Sequence, residues 1–166
     1  MDGRETGALD RWRDQLAAWA IPEEILAAAP ESPWGCPVGL FRARARRAGA
    51  RPPTPSDREA ARFLPPGGSV LDVGAGGGAA SLPLAGAAGR LVAVDESAGM
   101  IAAFLDAAEA AGVPAEGVEG RWPEVAGRVG AADLVVCHHV FYNVAELAPF
   151  VRALTGHARR RVVVEL

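Results

Sequence analysis

The stretch SVLDVGAGGGAASLPLA, residues 69–85, constrains the chain most. Val70, Leu71 and Val73 form an apolar run with an acid, Asp72, near its end. Gly74, Gly76, Gly77 and Gly78 follow at once. An apolar run that stops at clustered glycines reads as a buried strand entering a tight turn. The apolar residues from Ala79 then predict a helix over 79–86, in which Pro83 lies early enough to cause only a local irregularity. A polar or charged ligand set against backbone is the usual occupant of such a turn.

Downstream the pattern alternates. RLVAVD (90–95) reads as a strand, and SAGMIAAFLDAAEAAG as a helix with Met100, Ile101, Phe104, Leu105 and Ala108 on one stripe. A short strand near EGVEG, the segment RWPEVAGRV, the strand ADLVVCHHV, the helix VAELAPFVRALTGHA and a fifth apolar strand, RRRVVVEL, complete the series. Strands alternating with helices at this spacing predict an α/β fold, a doubly wound parallel sheet covered on both faces. Right-handed crossovers then put a ligand at the carboxyl ends of the strands.

Residues 8–64 read instead as helical. ALDRWRDQLAAWA sets Leu9, Trp12, Leu16 and Trp19 at helical spacing, PEEILAAA gives a second short helix, and FRARARRAGAR a third. RPPTP is a stiff linker, after which Ser56 is the candidate cap of DREAARFL, with Asp57 and Glu59 in its first turn.

With 166 residues, half of them hydrophobic, the chain suits one domain with a sizeable core. No apolar run nears the roughly 20 residues that cross a bilayer, and the charged N-terminus lacks a secretory signal's apolar centre. A cytoplasmic protein is expected. Cys36 and Cys137 form no paired motif. The net charge of −3 gives no general drive toward nucleic acid. Arg42, Arg44, Arg46, Arg47 and Arg51 crowd together, as a solvated helix face whose stems cover apolar surface or as a patch for an acidic substrate. His138 and His139 are adjacent, so in extended chain they point to opposite faces and do not form a routine two-ligand metal site. Either could act as a base toward a hydroxyl, amine or thiol, or be structural.

Two ligand classes compete for the glycine turn. Gly74-Ala75-Gly76-Gly77-Gly78-Ala79 fits the dinucleotide fingerprint, with Asp95 at the distance of a ribose-binding acid, so a nicotinamide-dependent oxidoreductase is one reading. Asp72 argues against it. A carboxylate two residues before the first glycine would repel a pyrophosphate, whereas it suits the positive sulfonium and ammonium of S-adenosylmethionine. The polar cluster Cys137, His138, His139 falls at the end of the fourth strand, the lip of the crevice.

VLDVGAGGGAASLPLA, LVAVDESAGMI, EGRWPEV and ADLVVCHHVFYNV together, in this order, resemble the class I S-adenosylmethionine-dependent methyltransferases over roughly residues 56–166. The resemblance implies a Rossmann-like sheet in the strand order 3-2-1-4-5. It implies S-adenosylmethionine as cofactor and methyl transfer to an unidentified acceptor, with a small molecule expected; from the apolar-run lengths and the net charge, no membrane or nucleic-acid partner is expected. It assigns Asp72 to the methionine end and Gly74, Ala75, Gly76 and Gly78 to the loop that lets the cofactor approach backbone. Asp95 matches the acid on the ribose hydroxyls, and Glu96 and Met100 match neighbours on the ribose and adenine side. Arg121 and Trp122 fall in the segment flanking the adenine, where the family more usually has an acid. His138 matches the residue leaving the fourth strand toward the cofactor.

Residues 1–55 are expected to form a helical lid carrying Trp12, Trp19, Trp34 and Phe41, with Tyr142 and Asn143 on the floor beneath it. A non-catalytic binding module of the same fold is the third reading. The family's sheet has two strands beyond the fifth, so the chain is expected to be truncated, with VVVEL an open edge prone to self-association.

Overall fold

The computed structural model describes residues 3–30, 37–48 and 50–166. Trp34 and Cys36 lie outside them. Five strands, β1 (Gly68–Val73), β2 (Ala88–Asp95), β3 (Ala115–Glu119), β4 (Ala132–His138) and β5 (Ala158–Glu165), form one parallel sheet in the order β3-β2-β1-β4-β5. This is the expected Rossmann-like order. β1 is central and almost wholly buried, because elements cover the sheet on both faces.

On one face α3 (Val38–Ala48), α4 (Pro55–Phe63) and α5 (Ala98–Ala110) pack over Val70, Leu91, Ala93, Leu134 and Val136, with Phe104 fully buried at the centre. On the other, α6 (Leu147–His157) and short 3₁₀ turns cover Leu71, Val73, Val92, Val94 and Val135. The period of two along each strand sends alternate residues to the two cores. Ser69 and Asp133 pin the amino ends of β1 and β4 reciprocally. The Ser69 amide and hydroxyl donate to Asp133 Oδ2 (both 2.9 Å), and the Asp133 amide donates back to Ser69 Oγ (3.0 Å).

The helix expected over 79–86 does not form. The chain tightens into a single 3₁₀ turn, Leu82–Leu84, because Pro83 has no amide to donate and the bonds around it close three residues back, Leu84 to Ser81 and Ala85 to Leu82. Ser56 is not the cap of α4. Thr54 is: its hydroxyl accepts from the Asp57 amide (3.1 Å), Asp57 Oδ2 accepts from the Thr54 amide (2.7 Å), and Pro55 takes the first helical position. Asp57 is buried and Arg51 grips it with both terminal nitrogens. Burial alone would raise its titration point. Hydrogen bonds from Arg51 and Thr54 outweigh that and hold the carboxyl below its ordinary value.

The amino-terminal helices α1 (Gly3–Ala18) and α2 (Glu23–Ala28) precede α3. Trp12 Nε1 of α1 donates to the Val144 carbonyl (2.8 Å), and Arg13 reaches Glu146, which ties α1 to the segment between β4 and α6. Of the clustered arginines, Arg42 pairs with Asp106, Arg44 lies over the Phe41 ring and Arg51, beyond the end of α3, holds Asp57; these three support the fold itself. β5 is an edge strand, with Arg159 and Arg160 turned toward Asp133 and Arg161 over Phe63. Among the described residues no helix is long and apolar enough to cross a membrane.

Loss of the cap has a measurable cost. Thr54→Ala should destabilise the protein by about 1 kcal/mol in urea unfolding, whereas Ser56→Ala should stay within about 0.5 kcal/mol. Equal effects would show that Thr54 is not the cap.

Candidate functional site

The strand order reverses direction at β1, so the connections leaving β1 and β4 diverge to opposite faces and open a crevice at their carboxyl ends. The glycine turn fills its head. The Gly74 and Ala75 amides both donate to the Val94 carbonyl (2.8 and 3.1 Å), and the Gly78 amide closes on the Ala75 carbonyl (2.8 Å). Gly74 and Gly76 have φ of 70° and 53°, the left-handed region that glycine enters without steric cost.

Asp95, at the end of β2, fixes this turn. Its Oδ2 accepts from the Gly76 amide (2.8 Å) and its Oδ1 from the Ser97 amide (2.9 Å). Ser97 in turn caps α5, its hydroxyl accepting from the Met100 amide (3.3 Å). One carboxylate thus ties the turn after β1 to the turn after β2.

Asp72 lies beneath the turn, 1% exposed. Ser81 donates to its Oδ2 (2.6 Å), while its Oδ1 is buried with no partner. Burial pushes its titration point up to about 7, the Ser81 hydroxyl opposes the rise and the charge of Asp95 adds to it. An unpartnered carboxyl oxygen under a glycine turn fits a ligand whose cationic donor would favour its ionised form, and it opposes a pyrophosphate.

The turn is covered from two sides. A Cβ on Gly76 would come within 2.9 Å of the Phe41 ring, one on Gly77 within 2.8 Å of the Phe41 carbonyl oxygen, and one on Gly74 would overlap Val140. The absent side chains let α3 and the segment after β4 sit directly on the turn.

The remaining candidates divide. Glu96 and Arg121 pair across the ends of β2 and β3 (3.3 Å), both exposed. Met100 is 3% exposed on the first turn of α5. Trp122 lies in the core on the α6 side, edge-on to His157 with ring centroids 4.9 Å apart; it packs with Val92, Val94 and Val125. The expected polar cluster at the end of β4 splits. Cys137 is fully buried in that same core, and burial pushes its thiol far up. His138 ends β4 with Nε2 buried and unpartnered, and burial pulls its titration point down. His139, φ 59°, turns out of the strand and is more than half exposed.

Sequence reasoning missed Glu165. The parallel register sets it beside His138, and its carboxylate lies 3.3 Å from His139 Nε2. Only the pairing of β4 with β5 brings these residues together. Tyr142 lines a small cavity of about 90 Å³ with Trp12, Gln15, Leu16 and Trp19.

The comparisons with known proteins bear on the family and the fold. A family model described as a methyltransferase domain matches residues 70–160, more than half of the chain. No curated protein matches the sequence significantly. Among solved structures, the chain is similar to magnesium protoporphyrin IX methyltransferase from Synechocystis with bound S-adenosylmethionine, at 23% identity and TM-score 0.54, over 74% of this chain and 68% of that one. It is similar to precorrin 8w decarboxylase from Methanobacterium thermoautotrophicum at 23% identity and TM-score 0.54, over 69% and 63%. It is also similar to an S-adenosylmethionine-dependent methyltransferase from Thiobacillus denitrificans in complex with S-adenosylhomocysteine, at 21% identity and TM-score 0.53, over 75% and 52%. At these identities the likeness is one of fold, and the chain spans between about half and two thirds of their lengths.

The buried carboxylate gives a prediction with a definite sign. Asp72 stays protonated in the folded protein up to about pH 7 but ionises near 3.8 when unfolded. Stability attributable to it therefore falls as pH rises between those values, by about 4 kcal/mol at most. Asp72→Asn should raise Tm at pH 8 relative to the parent protein, with the advantage shrinking by pH 5. A Tm difference independent of pH would contradict the assignment.

Proposed function

The chain belongs to the family of class I S-adenosylmethionine-dependent methyltransferases, and on that premise we propose that it transfers a methyl group from S-adenosylmethionine to a small or medium-sized acceptor. The observation that carries the reading is the pairing of a buried, unpartnered carboxylate oxygen on Asp72 with a glycine turn fixed by Asp95. In this reading Asp72 receives the ammonium of the methionine end, directly or through water. Asp95 keeps its bonds to the Gly76 and Ser97 amides and offers its remaining lone pairs to the ribose hydroxyls, and Glu96 and Met100 flank the ribose and adenine. Arg121 closes the adenine side through its pair with Glu96. Trp122 contributes from beneath, as support rather than as a stacking surface. His138 stands where the fourth strand leaves the sheet.

When bound, S-adenosylmethionine supplies a methyl group already made electrophilic by the sulfonium. The residues of this chain have then to hold the acceptor in line and exclude water. Residues 3–48, where described, act as the lid in this reading. Phe41 closes over the glycine turn, and Trp12 and Trp19 with Tyr142 form the apolar wall of the acceptor side. Because Phe41 occupies the space in front of Gly76, entry of the cofactor requires α3 to lift.

Calorimetric titration with S-adenosylmethionine tests the reading. Asp95→Asn should weaken binding by about 1.5–3 kcal/mol, roughly ten- to a hundredfold. An unchanged dissociation constant removes Asp95 from the site. Phe41→Ala should tighten binding by about threefold or more, because a closed cover no longer has to be displaced. Weaker binding would make Phe41 a wall of the site instead of its cover.

A further inference from the structure

We propose that the cavity between α1 and the turn after β4 is an aromatic cage that binds the quaternary ammonium group of a small molecule. Its lining is the wall that the methyl-transfer reading sets on the acceptor side, but the binding claim stands on the cavity alone and needs no cofactor.

One helix supplies most of the cage. Trp12, Gln15, Leu16 and Trp19 recur at the spacing of one helical face, and Tyr142, from the 3₁₀ turn Phe141–Asn143, completes the lining of a cavity of about 90 Å³. Trp12 is a fixed wall, because its Nε1 is held on the Val144 carbonyl (2.8 Å) and the neighbouring Arg13 is held on Glu146. Trp19 lies just past the end of α1, and its amide still closes on the Gln15 and Leu16 carbonyls (3.1 and 3.2 Å), which continues the helical turn through it.

Exposure and ring geometry separate these side chains from ordinary core. Trp19 is 82% exposed and Tyr142 48%, so neither is used to bury the large apolar area that an aromatic side chain offers. Nor do the three rings pack on one another: the aromatic pairs among the described residues are Trp122 with His157 and Phe141 with Phe150. Arginine does not fill the space either. Arg11 and Arg13 flank Trp12 in sequence, yet the guanidinium groups that lie over rings among the described residues do so on Phe41 and Phe63. The faces of Trp12, Trp19 and Tyr142 are therefore left to a cation from outside, which the ring quadrupoles attract.

The lining selects among ligands. It holds no carboxylate, and its polar side-chain acceptors are the Gln15 amide and the Tyr142 hydroxyl. A metal ion would find no charged ligand there, and an anion would meet electron-rich ring faces. A primary ammonium or a guanidinium would give up hydrogen bonds to water with too few acceptors to replace them. A quaternary ammonium keeps the charge, has no N–H to satisfy and presents methyl groups that bury as hydrocarbon. Volume argues against a flat aromatic ring as the occupant, since an apolar cavity that holds benzene measures about 150 Å³.

NMR of the tryptophan indoles tests the cage at constant ionic strength and without cofactor. The probe is choline, and the control is the uncharged alcohol in which a tert-butyl group replaces the trimethylammonium. Choline should shift the Trp12 and Trp19 indole signals saturably and bind about tenfold more tightly than the alcohol. Trp19→Leu keeps an apolar wall but removes a ring face. It should weaken choline by about threefold or more and leave the alcohol within about twofold. Tyr142→Leu, on a different element, should do the same, and both positions are exposed enough for the fold to be retained. Equal affinity for choline and the alcohol would reduce the cavity to an apolar dimple and overturn the proposal. So would the absence of saturable choline binding, shifts confined to Trp122, or binding that neither variant changes. Failure of S-adenosylmethionine to bind would instead remove the methyl-transfer reading and leave the choline result standing.

Discussion

The two hydrogen bonds accepted by the Asp95 carboxylate organise the rest of the crevice. One oxygen holds the Gly76 amide and the other the Ser97 amide, so the turn after β1 takes its shape from the end of β2. With the turn so fixed, Phe41 and Val140 can seat directly on its glycines, Asp72 is sealed below it beside Ser81, and α5 starts from a capped Ser97. Removing that carboxylate would free two amides at once and unsettle every contact built on them.

Below the turn the fold works against itself. Local propensity, burial and hydrogen bonding agree throughout the sheet, yet at Asp72 an acid is fully buried with one oxygen unpartnered. Folds break their own rules at functional sites, and the conflict here has a direction. The buried acid lowers stability in the free protein and becomes an asset once a cationic group reaches it. A positively charged ligand resolves it; a phosphate would deepen it.

Much of this was legible in the sequence for identifiable reasons. β1, β2 and β4 are buried on both faces, so they read as short, nearly continuous apolar runs that end at glycine, acid or histidine. The strand order was not in those runs; it came from the resemblance. The segment 79–86 misled because its composition favours a helix while Pro83 withholds the amide that an α-helical turn needs. In sequence Ser56 competes with Thr54 for the cap because Pro55 looks like linker, although it is well suited to a first helical position. Glu165 was invisible for a different reason. Its partners are set by the register of β5 against β4, and that pairing is not written in either strand alone.

The central claim is that the glycine turn over Asp72 takes a cationic nucleoside cofactor rather than a dinucleotide. Parallel calorimetric titrations of the protein with S-adenosylmethionine and with reduced nicotinamide dinucleotide test it most directly. The account predicts saturable one-to-one binding of S-adenosylmethionine, lost in Asp72→Ala, and no saturation by the dinucleotide. Saturable binding of the dinucleotide without binding of S-adenosylmethionine would contradict it.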